Sequence, residues 1–192
     1  MKNVIILGAG GNIARQVTRL VLPMQEVRLT LFLRDKRKLK NSELLNVRIV
    51  EGDVSDFSRL KNAITGQDIV YVNLAGDLGA MAKNIVRTMK ETGVKKIILI
   101  SSIGIYDSPL RSVLVPYRQA ADIIEGSGLE YTILRPTWLT NSDEINYETT
   151  RKGAPDKGTV ISQKSLATLI TKTIEFPEKY IRQNLGVNKP CP

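Results

Sequence analysis

The first fourteen residues constrain this chain more than any other stretch. A short apolar run, Val4-Ile5-Ile6-Leu7, stops at Gly8-Ala9-Gly10-Gly11, and an amphipathic segment from Ile13 to Leu22 follows. An apolar run broken by glycines, then apolar residues at helical spacing, predicts a strand, a tight turn and a helix. Glycines in such a turn let the backbone approach a pyrophosphate, whose charge then meets the free N–H groups at the helix start. The glycine spacing alone is a weak signal. Its place between strand and helix gives it weight against the alternative, an ordinary glycine turn.

The remaining chain repeats the strand–helix alternation. Strands are expected at Val27 to Leu33, Val47 to Val50, Asp68 to Asn73, Lys96 to Ser101 and Tyr131 to Leu134, the last stopped by Arg135-Pro136 because proline has no N–H for a ladder. Helices are expected at Phe57 to Ile64, Ala80 to Thr92, Val115 to Gly126 and Ser165 to Ile174, with a short edge strand at Asn184 to Val187. This is the pattern of an α/β, Rossmann-type doubly wound parallel sheet with helices on both faces. The 192 residues suit a single domain spanning 1–192. Between Thr137 and Thr159 the periodicity fades. That segment reads either as a loop on the substrate side, covering a pocket, or as irregular surface.

Composition removes several kinds of chemistry. The chain has no histidine, which excludes Ser-His-Asp and Cys-His catalysis and every zinc site built on imidazole. Its one cysteine, Cys191, has no partner, so neither a disulfide framework nor a cysteine-rich metal site is expected, and no metal is assigned. No apolar run approaches the ~18 residues of a membrane span. Met1-Lys2-Asn3 leads straight into the first strand, leaving no room for a secretory leader, and a cytoplasmic protein is expected. The net charge is +9, from 28 Lys and Arg against 19 Asp and Glu. Apart from the cluster Arg34 to Lys40 these cations are scattered, without the interleaved aromatics that stack bases, which argues against nucleic acid.

The basic cluster bears on the cofactor. In NAD-binding units an acidic residue about twenty residues past the glycine turn grips the ribose. Here the second strand ends Leu33-Arg34-Asp35-Lys36-Arg37-Lys38. A guanidinium at that point suits the 2′-phosphate of NADP, and Lys38 adds a second cation from the same turn. NADP(H) is therefore preferred, while Asp35 keeps NAD(H) open.

These stretches carry a resemblance. Gly8-x-x-Gly11-x-x-Ala14, Leu33-Arg34-Asp35, Gly52-Asp53-Val54, Ser101-Ser102-Ile103-Gly104-Ile105-Tyr106 and Ser127 through Pro136 resemble the atypical short-chain dehydrogenase/reductases of the NAD(P)-binding, NmrA-like group. They are also similar to the biliverdin reductase B/flavin reductase proteins. The resemblance implies that Gly8, Gly10, Gly11, Asn12 and Ile13 hold the pyrophosphate. It assigns Arg34 and Lys38 to the 2′-phosphate and Asp53 and Val54 to the adenine. Leu74, Ala75 and Gly76 would run beside the riboses, and Ser101, Pro136 and Thr137 would lie at the nicotinamide end. Asp53 also has a purely structural alternative, bonding free N–H groups in its own turn.

The same resemblance implies a missing part. Alcohol-active short-chain dehydrogenases use a Ser with Tyr-x-x-x-Lys to move a proton. Ser102 matches the serine, but the tyrosine position falls on Val113 and the lysine position on Tyr117, beside Arg118. Ketone reduction needs that proton relay. Hydride transfer to a flavin or quinone does not, because the charge is delocalised and water supplies the proton. The expectation is an NADPH-dependent reductase of a flavin, quinone or similar planar acceptor. Ser102, Tyr106 and Tyr117 are its candidate active-site residues, and Trp138 either shapes the pocket or packs in the core. The alternative is a non-catalytic NAD(P)-binding redox sensor with a protein partner.

Overall fold

The computed structural model describes residues 1–39 and 47–190, so Lys40 and Cys191 lie outside the described residues. In chain order the elements are β1 (Lys2–Leu7), α1 (Asn12–Val21), β2 (Val27–Leu33), β3 (Arg48–Glu51), α2 (Phe57–Ile64), β4 (Ile69–Val72), α3 (Leu78–Thr92) and β5 (Lys96–Ile100). Then come α4 (Val115–Glu125), β6 (Glu130–Pro136), β7 (Trp138–Thr140), β8 (Glu148–Arg151), β9 (Val160–Ser162), α5 (Gln163–Glu175) and β10 (Gln183–Asn188). Eight strands form one sheet in the order β3-β2-β1-β4-β5-β6-β10-β8. All neighbours are parallel except β8, which runs antiparallel to β10. The fold is Rossmann-type α/β.

The central strand explains the opening sequence. Val4 to Leu7 are fully buried on both faces of the sheet, so the run is continuously apolar rather than alternating. Ile5 and Leu7 face a core built with α2, α3 and α4, while Val4 and Ile6 face α1 and α5. Burying each such side chain stabilises the fold by about 1.5–3 kcal/mol.

Four expectations need correction, all in the last third of the chain or at a helix start. Pro136 does not stop the sixth strand early; β6 runs through it and pairs Pro136 with Val187. Proline gives up a donor but keeps its carbonyl, which here accepts from the Ile103 N–H at 3.0 Å. The strand expected at Asn184 to Val187 is not an edge strand: β10 is paired on both sides, by β6 and β8. The segment 137–159 is not one loop, since β7 and β8 lie within it. Its middle is fastened to α5: the Ser165 hydroxyl accepts from the Asn146 N–H at 2.9 Å and donates to the Glu144 carbonyl at 3.1 Å. Finally, α3 begins at Leu78 rather than Ala80, because Asp77 caps it by accepting from the Ala80 N–H.

β10 and β8 extend the sheet beyond the helices on the α4 face, and a polar cluster covers that face instead. Arg135, only 2% exposed, donates through Nε to Asn184 Oδ1 and through Nη1 to Asp156 Oδ1, each at 2.9 Å. Removing the carboxylate strands a buried cation. Asp156→Ala should lower stability by about 1.5–3 kcal/mol, or roughly 3–12 °C in thermal unfolding followed by circular dichroism.

Candidate functional site

The strand order reverses between β1 and β4, and in open α/β sheets ligands bind at such a switch point, beyond the carboxyl ends of the strands. Gly8 follows β1 there with φ +84°, a conformation that side chains rarely adopt. A Cβ on Gly8 would stand 2.1 Å from the Asn73 carbonyl oxygen, and one on Gly11 would stand 2.5 Å from Asn73 Nδ2. The end of β4 and the β1–α1 turn thus touch backbone to backbone, which only glycine permits. Gly10 differs: a Cβ there would meet Lys38 at 3.4 Å, an ordinary contact. Protein packing therefore requires glycine at position 8, whereas a side chain at Gly11 would displace only the Asn73 amide and Gly10 is left open.

Helix α1 starts at this turn with Gly11 as its cap, no side chain bonding its first N–H groups and no acidic residue in its first turn. Its unsatisfied N–H groups and the positive end of its dipole form a natural anion site. Asn12 and Ile13 contribute backbone here. The Ile13 side chain is buried in the core against α5, and Asn12 accepts from Arg15 on the outer side.

A cavity of about 240 Å³ opens beside the turn. Gly8, Gly10 and Gly11 line one wall, with Leu74 and Ala75 from the β4 end. Arg34 and Lys38 line the opposite side, and Asp53 and Val54 the third. Residues as far apart in sequence as Gly8 and Ala75 are thereby gathered in one place. Asp35 also lines the cavity, but its carboxylate caps the following turn and accepts from Arg37, N–H at 3.0 Å and Nε at 2.9 Å. Those bonds hold the Asp35 carboxyl below the usual carboxylate range. Among the described residues Arg34 and Lys38 have no carboxylate within ion-pair distance.

Asp53 does what its structural alternative proposed as well as lining the cavity. It accepts from the Ser55 N–H at 2.9 Å and hydroxyl at 2.7 Å, which lowers its pKa. A depressed carboxylate stabilises the fold above its unfolded pKa and loses that contribution as pH falls through the folded value, so the turn is held at neutral pH. Val54 is held from the other side, its carbonyl accepting from Asn84 on α3.

The other expected residues fall outside this cavity. Ser101, Ser102, Pro136 and Thr137 are brought together at the ends of β5 and β6 by backbone bonds: Ser101 N–H to the Leu134 carbonyl at 2.8 Å, Ile103 N–H to the Pro136 carbonyl at 3.0 Å. The Ser101 hydroxyl is buried there without a hydrogen-bond partner. Thr137 donates to the Val187 carbonyl and Ser102 to the Ile103 carbonyl. Gly76, with φ +112°, follows Ala75 just beyond the lining. Tyr117 packs against the core of the α4 face. Tyr106 is drawn into the polar cluster on β6 and β10, where its hydroxyl accepts from Asn184 Nδ2 at 2.8 Å. Lys152 Nζ, the Arg118 guanidinium and the Arg135 guanidinium lie 4.4, 4.8 and 5.3 Å from its ring centre. Trp138 does not pack in the core; it is 72% exposed.

Sequence reasoning missed the lining residues Phe32, Leu33, Gly52, Asn73 and Met81. Asn73 had a signal, a lone polar side chain ending an apolar strand. Gly52 stood beside Asp53 and Val54 in the sequence, but only the fold shows that a Cβ there would meet the Phe32 ring and the Arg59 stem at under 3.0 Å.

A family model described as NAD(P)H-binding matches residues 8–177. The chain belongs to the NAD(P)H-binding family. No curated protein shows significant similarity to it. Among solved structures, a Rossmann-fold NAD(P)-binding family protein from Shigella flexneri is 49% identical with a TM-score of 0.92, the match covering 99% of this chain and 94% of that one. A short-chain dehydrogenase/reductase from Veillonella parvula, solved in complex with NADP, is 26% identical with a TM-score of 0.90, covering 98% and 95%. The anaerobilin reductase ChuY from Escherichia coli shares the fold at 18% identity and a TM-score of 0.87, covering 100% and 98%. The chain is thus of a family that binds a nicotinamide cofactor, and similar structures include a short-chain dehydrogenase/reductase. Among the described residues no helix is long and apolar enough to cross a membrane, and no cluster of His, Cys, Asp and Glu could hold a metal.

The two kinds of glycine separate fold from binding. Gly8→Ala should destabilise the protein by about 1–3 kcal/mol and weaken cofactor binding as well. Gly10→Ala should leave the unliganded stability within about 0.5 kcal/mol while cofactor affinity falls. Thermal unfolding and calorimetric titration with NADPH check both.

Proposed function

We propose that this protein is an NADPH-dependent reductase of a flavin, quinone or similar planar conjugated acceptor, closest in kind to the NmrA-like and biliverdin reductase B/flavin reductase proteins. One observation carries the reading: a well-formed dinucleotide cavity stands beside a chain whose hydroxyl and amine groups do not form a proton relay. Tyr106 is engaged with Asn184, Tyr117 is partly buried against the core, and the position expected for a relay tyrosine is Val113. An NADP complex and an anaerobilin reductase among proteins of the same fold agree with it.

The residues present fit the cofactor. Gly10 lines the cavity without a side chain to fill it, and α1 offers N–H groups without a competing side chain. In this reading Gly8, Gly10, Gly11, Asn12 and Ile13 hold the pyrophosphate through backbone. Arg34 and Lys38 bind the 2′-phosphate, made available because Asp35 is committed to Arg37. Asp53 and Val54 flank the adenine, and Leu74, Ala75 and Gly76 border the riboses. Ser101, Ser102, Pro136 and Thr137 take the nicotinamide. When bound, NADPH supplies a hydride, and a conjugated acceptor takes it with water providing the accompanying proton. The protein's part is to align the two rings and exclude water between them, which accounts for most of the rate in such a transfer.

Mixing the protein with NADPH and FMN, FAD or a quinone should consume reduced-nicotinamide absorbance faster than a control without protein. Intact cofactor binding with no consumption across that panel would overturn the reductase and leave a regulatory NAD(P) sensor. Arg34→Ala should cost about 1.5–3 kcal/mol of NADPH affinity, typical of a charge-assisted bond, with NADH little changed. Equal weakening of both cofactors contradicts the NADP preference.

A further inference from the structure

We propose that Trp138 and Val160 form the platform on which the planar acceptor lies, an inference that rests on the reductase reading above. Trp138 is the chain's only tryptophan and is 72% exposed, an unusual place for so large an apolar side chain. It is not loosely held. β7 pairs in parallel with β9, placing Trp138 opposite Val160, itself 38% exposed. The Trp138 N–H donates to the Thr159 carbonyl at 3.1 Å, and the Val160 carbonyl accepts from the Lys189 N–H at 2.8 Å. A rigid backbone thus presents an indole and an adjacent branched side chain to the outside.

The location selects the occupant. β7 leaves the end of β6 one residue after Pro136-Thr137, and the Pro136 carbonyl is tied to Ile103, next to Ser102. The platform therefore begins where the nicotinamide-end residues assemble, on the same edge of the sheet as the cavity. Leu139, 45% exposed, follows Trp138 on β7, and Thr137 and Thr159 precede the pair. Indole faces stack on fused-ring systems such as flavins and quinones.

A single tryptophan makes the test direct. In the presence of NADP⁺, titration with FMN or with 2-methyl-1,4-naphthoquinone should quench the intrinsic fluorescence saturably, beyond the quenching of free N-acetyltryptophanamide. Trp138→Ala should raise the KM for the acceptor about 3- to 10-fold while leaving the calorimetric affinity for NADPH and the thermal midpoint unchanged, and Trp138→Phe should restore most of the KM. Quenching that is linear and equal to that of the free amide overturns the platform. So does an emission maximum that moves with protein concentration alongside a dimer in sedimentation, which would put a second copy on this face. Turnover with an unchanged KM in Trp138→Ala overturns the platform but keeps the reductase. Saturable quenching without NADPH consumption keeps the platform and overturns the reductase.

Discussion

The approach of the Asn73 carbonyl to Gly8 is the contact on which the rest of the site depends. Adjacent parallel strands lie about 4.8 Å apart, and beyond the ends of β1 and β4 the chains must turn without the ladder to space them. The turn after β1 meets this by carrying no side chain where the β4 end passes. Two consequences follow. Helix α1 can begin immediately, close enough to the sheet to pack Ile13, Ala14 and Val17 into the core. Its first N–H groups then have no side-chain partner, so the fold leaves an anion site open at the switch point.

Charge is arranged around that site by local bonding rather than by net surplus. The overall charge of +9 would attract a dinucleotide from any direction. The local arrangement is finer: Asp35 turns toward Arg37 and caps the next turn, and Arg34 and Lys38 line the cavity. On the far side of the sheet the same principle acts in reverse. Arg135, Asp156, Asn184 and Tyr106 satisfy one another where no helix covers β6 and β10, and buried polar groups of this kind must be bonded to be tolerated. Tyr106 thereby serves the closure of the sheet and stands apart from the cavity.

The proposed adenosine half of the site rests on strands, a helix start and tight turns. The other half, at the ends of β5 and β6, consists of connecting segments tied to each other by backbone bonds such as Ile103 to Pro136. Such a division is common in this fold: rigid elements hold the shared cofactor, and the more variable connections meet whatever exchanges hydride with it.

Much of this was legible in the amino-acid order. The strand–turn–helix opening, the basic turn after Leu33, and most element positions follow from neighbours within a few residues, because glycine conformation, helical periodicity and apolar runs are local properties. What the tertiary structure decided involves partners far apart. Asn73 meets Gly8 and Gly11 across more than sixty residues, and Tyr106 reaches Asn184 across 78. The strand ending at Asn188 became interior because the segment expected to be a loop folded back as β8 and paired with it. Local propensity cannot register such pairings, since a strand's neighbour and a side chain's partner are set by which groups must be buried and bonded together. The sequence alone determined that a dinucleotide turn exists and which cations stand near it. Only the folded sheet decided that Tyr106 is withdrawn and that Trp138 is left exposed at the edge.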